Sequence, residues 1–235
     1  MKYNMKKTII FYVMLGMVLL YSCKLDNYDP PTMTIEGKVV DDVTGENVYT
    51  QQPNGIKVRL LEEGFTNPTP YDFWAMSDGT FRVTKVFASK YQALVLEGPF
   101  EDASVKQVAV DVTSSNQKLE FKVVPYVRMK NVSITVSGTT VKATYNIERT
   151  TSTKLPKSSL LLVHESVLLH ATTVGVKKSA VNNLTSLTPP ALAAKTFDDQ
   201  ITGLTPGTYY ARVGVLTDNY LGRYTYSQIV QIIVK

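Results

Sequence analysis

The chain is poor in groups that do chemistry. Its 235 residues hold one cysteine, Cys23, and two histidines, His164 and His170. His164-Glu165 begins like the zinc-binding H-E-x-x-H helix, but the second histidine follows six residues on rather than four. The segment also reads as a strand, where even spacing puts both histidines on one face with no third ligand in view. G-x-S-x-G, the P-loop and G-x-G-x-x-G are all missing from the sequence. Glu62-Glu63, Glu97 and Glu101-Asp102 could supply a carboxylate pair for glycoside hydrolysis. They read more simply as solvated loop charges. A single cysteine cannot form an intrachain disulfide. These residues predict a protein that is not an enzyme, with no metal and no cofactor.

The chemistry that remains is at Cys23, and its neighbours say what it is. Lys2, Lys6 and Lys7 precede an apolar run over residues 9–20. Twelve residues are too few to cross a bilayer as a helix, which takes about 20, and suit the h-region of a signal peptide. Leu20-Tyr21-Ser22-Cys23 then places a leucine three residues before the cysteine and a small residue just before it. This run resembles the lipobox of bacterial lipoproteins. The resemblance implies cleavage after residue 22, diacylation of the Cys23 thiol and acylation of the new N-terminus. Two or more acyl chains anchor a protein stably, where one is marginal. The alternative is an ordinary signal peptide with a stray or structural thiol.

Removal of residues 1–22 takes away three lysines and no acids, so the formal net charge falls from +5 to +2. With no basic run longer than Lys177-Lys178, nucleic acid is not an expected partner. Residues 23–31 read as a tether, stiffened by Pro30-Pro31. Asp26 and Asp29 in that tether resemble the acidic residues that follow the cysteine in surface lipoproteins of the Bacteroidetes. The resemblance implies an outer-membrane lipoprotein facing the cell exterior.

Period-two alternation begins at Thr34 and recurs at residues 56–60, 81–83, 91–96, 108–110 and 119–124. Short strands separated by turn clusters, with no helical period, predict an antiparallel sandwich over residues 32–124. Asp78-Gly79 predicts a hairpin with a primed turn. The order Ile35-Glu36-Gly37-Lys38-Val39-Val40-Asp41, Thr44-Gly45-Glu46, Ile56-Lys57-Val58-Arg59-Leu60, Asp78-Gly79-Thr80-Phe81 and Tyr91-Gln92-Ala93-Leu94-Val95 resembles the carboxypeptidase-regulatory or transthyretin-like sandwich. That resemblance implies a structural or presentation module. Residues 85–90 lack that family's usual Pro-Gly before the tyrosine strand. After the 64–70 loop, Phe73 and Ala75 share one face and Trp74 and Met76 the other. Tyr71 and Trp74 are therefore either core or exposed platforms for a sugar ring or a partner.

A second sandwich is expected over residues 125–235, with strands near 132–136, 141–147, 160–164, 197–201 and 228–234. Residues 169–195 are read mostly as loop, with room for an extra edge strand. Leu204-Thr205-Pro206-Gly207-Thr208-Tyr209-Tyr210-Ala211-Arg212-Val213 resembles the E–F corner of a fibronectin type III domain, with Tyr210 matching its corner tyrosine. Tyr220, Arg223 and Tyr224 fill or flank the following loop and are residue types favoured at interfaces. They are candidate binding residues beside Tyr71 and Trp74, or else a strand end packed on its own sheet.

The fold class expected is all-β: two tandem antiparallel sandwiches after a cleaved lipoprotein signal peptide. The full layout resembles lipoproteins found beside SusC/SusD-type uptake systems of the Bacteroidetes. It implies a non-catalytic accessory that captures a glycan or peptide or docks onto the transporter. The alternative is a structural or adhesive surface protein, such as a stalk or fimbrial subunit.

Overall fold

The first sandwich is built around strand β1 (Met33–Asp41) in a computed structural model that describes residues 29–235. The signal segment, Cys23 and the tether as far as residue 28 lie outside the described residues. Alternation along β1 turns Ile35 and Val39 inward, both fully buried. β1 lies between β4 (Thr80–Val86) and β7 (Gln117–Val123). β4 runs antiparallel to it, but β7 runs parallel, with Ile35 opposite Gln117 and Asp41 opposite Val123. A parallel neighbour departs from the purely antiparallel expectation. It arises because β7 is reached only after the chain has crossed to the facing sheet. Gly37 is where the pair comes closest: a Cβ there would stand 2.1 Å from the Leu119 carbonyl oxygen.

The facing sheet runs β3 (Tyr71–Trp74), β2 (Lys57–Glu62), β5 (Lys90–Glu97) and β6 (Val108–Asp111), all antiparallel. Val58, Leu60, Phe81, Phe100 and Phe121 fill the space between the sheets. The Asp78-Gly79 turn is not a hairpin, because β3 and β4 belong to different sheets. Gly79 N–H donates to the Met76 carbonyl (3.0 Å) and Met76 N–H to the Thr80 carbonyl (2.7 Å). The central residues of this turn are Ser77 and Asp78, neither with a positive φ, and Gly79 follows them at φ +80°. The geometry is an ordinary turn closed by a left-handed glycine, and it carries the chain from one sheet to the other.

Strand direction sorts the connections of this sandwich between two ends. Loops 63–70, 87–89 and 112–116 gather where the chain enters at Thr32. The 42–56 segment, the Asp78-Gly79 turn and the 98–107 loop, which holds a 3-10 turn at Asp102–Ser104, gather at the opposite end with the exit at Val124.

The second sandwich packs β13 (Thr196–Ile201), β9 (Thr140–Arg149) and β8 (Val127–Ser137) against β10 (Pro156–His164), β14 (Gly207–Thr217), β15 (Tyr224–Tyr226) and β16 (Val230–Val234). Val141, Tyr145, Ile147, Leu161, Val163, Phe197 and Val213 form its interior. Residues 169–195 are not simply loop. β11 (Lys177–Lys178) and β12 (Asn182–Asn183) pair with β10, and a helix, α1 (Pro189–Ala194), follows. Two prolines begin that helix, where their missing N–H groups would be unsatisfied in any case, and Leu192 is its buried residue. β12 is held by Asn182, whose side-chain N–H donates to Asp199 (2.8 Å) beside the buried Tyr145 hydroxyl.

The corner tyrosine is Tyr209, not Tyr210. The Tyr209 hydroxyl donates to the Thr205 carbonyl (3.1 Å) and its ring is buried in the sandwich interior. Tyr210 points through the other face of β14, into a third apolar cluster with Leu160, Leu162, Leu169, Ala171 and Tyr226. Period two decides this: Tyr209 shares its face with Ala211 and Val213, the core residues. Tyr49 of the first sandwich packs on the third cluster. β10 is therefore buried on both faces, which explains the unbroken run Leu160-Leu161-Leu162-Val163. Residues 32–235 form one compact unit.

Tyr209→Phe should lower unfolding stability in urea by about 1 kcal/mol, the net worth of one buried hydrogen bond. Tyr210→Phe should leave the unfolding midpoint in place.

Candidate functional site

Three arginines of the second sandwich reach into the exit end of the first. Alternation on β14 sends Arg212 away from the core face. Its side chain is fully buried all the same. Nη1 donates to the Thr50 carbonyl (2.8 Å), Cζ lies 3.6 Å above the Tyr226 ring, and Nε and Nη2 have no partner. Burial lowers the guanidinium to about 10, so it stays charged at neutral pH.

Arg223, from the loop between β14 and β15, is 7% exposed. Its Nη1 donates to the Gly55 carbonyl (2.6 Å) and its Nη2 to Glu97, which Lys57 also pairs. Both cations stand over Trp74, Lys57 Nζ at 4.9 Å and Arg223 Cζ at 5.2 Å from the ring centre. Burial alone would raise the Glu97 carboxyl, but hydrogen bonds from Lys57 and Arg223 outweigh it and hold it below its ordinary 4.5. Arg128, at the start of β8, grips Asp41 through both carboxylate oxygens, Nη2 to Oδ1 at 2.8 Å. Again burial pulls upward, and Arg128 with the Val43 N–H pulls the Asp41 carboxyl below 3.8.

Beside the Asp41–Arg128 pair the two sandwiches leave an open cleft of about 780 Å³. Residues 44–49 line one side; β8 from Val127 to Val132 and the 225–230 segment line the other. Asn131 has a φ of +54°, at the bulge where pairing skips from Lys130–Asn146 to Ser133–Thr144. Asn47, the half-buried Tyr49, Asn131 and Gln228 offer a hydroxyl and amides, and Val48, Pro125 and Met129 offer apolar surface. The lining cations are already engaged, Arg128 by Asp41 and Lys130 by Glu148 at 2.8 Å. Such a lining suits a polyhydroxylated ligand held by hydrogen bonds and one ring face. Among the described residues, no group of three or more His, Cys, Asp or Glu is placed to hold a metal ion, and no helix is long and apolar enough to cross a membrane.

The residues singled out from sequence are scattered. Arg223 is not an open contact in the loop; Gly55 and Glu97 occupy it. Trp74 lies on the outer face of β3, half-buried under Arg223 and Lys57, so it is neither core nor free platform. Glu97 is correspondingly not a solvated loop charge. Tyr224 is half-buried and stacks on Tyr226, ring centres 5.6 Å apart. Tyr220 stands 74% exposed on the loop tip, and Tyr71, 41% exposed, begins β3 at the entry end. Cys23 lies outside the described residues. The sequence reading missed Asp41, Tyr49, Arg128, Asn131 and Arg212. One signal was available for Arg212: a charged residue in the run 209–216, whose other side chains are all apolar or aromatic.

Arg223→Ala should cost about 1.5–3 kcal/mol in urea unfolding, the range for hydrogen bonds to charged groups, and should speed proteolysis of the 217–223 segment. Acid should act on the same pairs. Asp41 and Glu97 titrate lower folded than unfolded, so their pairing stabilises fully above their ordinary values and is lost as pH falls through the lowered ones. Thermal stability should therefore drop below about pH 4, and Asp41→Asn with Glu97→Gln should flatten that acid limb.

Two family descriptions match most of the chain, from residue 33 to residue 231. Residues 33–124 match "Protein of unknown function (DUF3823) N-terminal domain" and residues 127–231 match "Domain of unknown function (DUF3823_C)". No curated protein sequence matches it. A DUF3823 protein of Bacteroides ovatus superposes with a TM-score of 0.72 at 21% identity, over 86% of this chain and 100% of that one. A Parabacteroides merdae member gives 0.71 at 20% identity, over 88% and 100%. A Bacteroides uniformis protein provisionally assigned to carbohydrate binding gives 0.66 at 24% identity, over 87% and 100%. With both of its sandwiches matched, the chain belongs to the DUF3823 family.

Proposed function

We propose that this protein is a non-catalytic surface lipoprotein that captures a carbohydrate in the cleft between its sandwiches, as an accessory of a SusC/SusD-type uptake system. The observation that carries the reading is the cleft itself. It is concave, lies between two domains, and is lined by amides and the hydroxyl of a half-buried tyrosine, with its cations neutralised from within. The carbohydrate assignment of the Bacteroides uniformis relative supports the ligand class. The lipobox-like run at Cys23 supports the anchor, and the relatives from Bacteroides support the setting.

The layout suits display. The chain enters at the Thr32 end of the first sandwich, and the cleft opens at the Asp41 end of β1. Nine strand residues at about 3.3 Å each set the two roughly 30 Å apart. The cleft therefore lies at the end of the first sandwich remote from the one that the tether joins.

Affinity electrophoresis of the full chain in gels cast with xylan, amylopectin, galactomannan or polygalacturonate tests capture. Retardation by one neutral polysaccharide is expected, weakened about tenfold by Tyr49→Ala, the scale of losing one stacked ring. Retardation unchanged by Tyr49→Ala and Asn131→Ala would move the site elsewhere; no retardation by any polymer would remove capture altogether. Copurification with a SusC/SusD pair tests the setting, and ordered self-association in its place would favour a structural role. Cys23→Ala should abolish incorporation of labelled fatty acid into the protein.

A further inference from the structure

The first sandwich distributes its exposed aromatics unevenly. Its exposed large hydrophobic residues are Val43, Phe65, Tyr71, Met76 and Phe87. The two aliphatic ones lie toward the exit end, by the 42–56 segment and the Asp78-Gly79 turn. All three aromatic ones stand at the entry end. Phe65 is on the 63–70 loop and 63% exposed, Phe87 is on the 87–89 loop and 50% exposed, and Tyr71 begins β3 at the foot of the first of these loops. The loops are neighbours: Glu63 N–H donates to the Lys90 carbonyl at 2.8 Å, and Met33 lies opposite Val86 in the β1–β4 ladder. Nothing internal needs these rings exposed, since the core beneath is closed by Leu60, Val86 and Tyr91.

We infer that this end of the sandwich is a lipid-contacting face, with Phe65 and Phe87 seated among the headgroups of the membrane that holds Cys23. The inference rests on the lipid anchor of the proposed function. Eight residues separate Cys23 from Thr32, so the entry end stays within about 30 Å of the acylated cysteine however the tether runs. That confinement makes ring–lipid contact effectively intramolecular, and weak individual contacts then suffice. Phenylalanine, like tryptophan and leucine, is a side chain that surface-bound segments bury at the headgroup–acyl boundary. Charge does not supply the attraction, because the cations of this end, Lys85 and Lys90, stand among Glu62, Glu63 and Asp111, with Lys90 Nζ 3.7 Å from Asp111. Contact should therefore resist salt. A transporter subunit could cover the same rings, and the test separates the two.

The acylated full chain is reconstituted on vesicles of phosphatidylethanolamine and phosphatidylglycerol doped with acyl-chain-brominated phosphatidylcholine. The background is Trp74→Phe, with a single reporter introduced as Phe87→Trp, Phe65→Trp or, at the far end, Met76→Trp. Emission from the Phe87→Trp and Phe65→Trp proteins is expected to shift blue and fall by about twofold or more with brominated lipid, at low and high salt alike. The Met76→Trp protein should be unaffected. Two reporters guard against one substitution disturbing its loop. Vesicle-bound, acylated protein whose Phe87→Trp and Phe65→Trp emission is unquenched overturns the lipid face and leaves the anchor standing. A chain that is not acylated and does not bind vesicles overturns both.

Discussion

A guanidinium buried without a carboxylate shapes the junction of the two sandwiches. Moving an ion out of water costs several kcal/mol even after relaxation. Arg212 recovers part of that from the Tyr226 face, about 2 kcal/mol for a desolvated pair, and part from the Thr50 carbonyl. Separating the sandwiches would return the cation to water, so Arg212 by itself favours parting. What opposes parting must come from elsewhere on the same seam. The apolar cluster under Tyr49, the Asp41–Arg128 grip and the Glu97–Arg223–Lys57 group supply it. Arg212 therefore acts on geometry more than on strength. It requires that the 49–50 backbone approach β14 at one height, and this in turn fixes where residues 44–49 stand opposite β8.

The cleft follows from that arrangement. Its two sides belong to different sandwiches, so its width is a property of the seam rather than of either domain. The ion pair at its edge serves both purposes. Asp41–Arg128 ties the sandwiches, and by using up its charges it leaves the lining to neutral hydrogen-bonding groups. Arginines stiffen that seam: Arg128 holds Asp41 through both carboxylate oxygens and the buried Arg223 bridges Gly55 and Glu97, where flexible lysines would hold less firmly.

This division also explains what was legible in the sequence. Ile35, Val39, Val58 and Leu60 announce themselves by period two, because each buries one face against its own domain. The sandwich class and the positions of most strands followed. β7 pairing parallel to β1 did not, since pairing partners are set by the crossover and not by local pattern. The corner tyrosine was placed one residue late because Tyr209 and Tyr210 are both aromatic, and only the alternation with Ala211 and Val213 tells inward from outward. The cleft was not legible at all. Asp41 read as the end of a strand motif and Arg223 as a candidate loop contact, and each is what it is only because a residue more than 80 positions away reaches it. Long-range polar pairs leave no periodicity behind.

The remaining asymmetry concerns the two ends of the first sandwich. One end is stitched to its neighbour by buried arginines; the other carries the chain's entry and exposed rings. A sandwich is a stiff spacer because its strands run its full length and its core is continuous between the ends. Under the proposed anchor, that stiffness converts a short tether into an orientation. Rings at the entry end lie toward lipid, the seam and its cleft lie about a strand length further out, and the second sandwich lies beyond. The tether alone could not impose this, because an eight-residue linker permits many tilts. Contact between the entry end and the bilayer would remove most of them. Capture at the cleft and seating at the membrane would then be two consequences of one rigid body with chemically different ends.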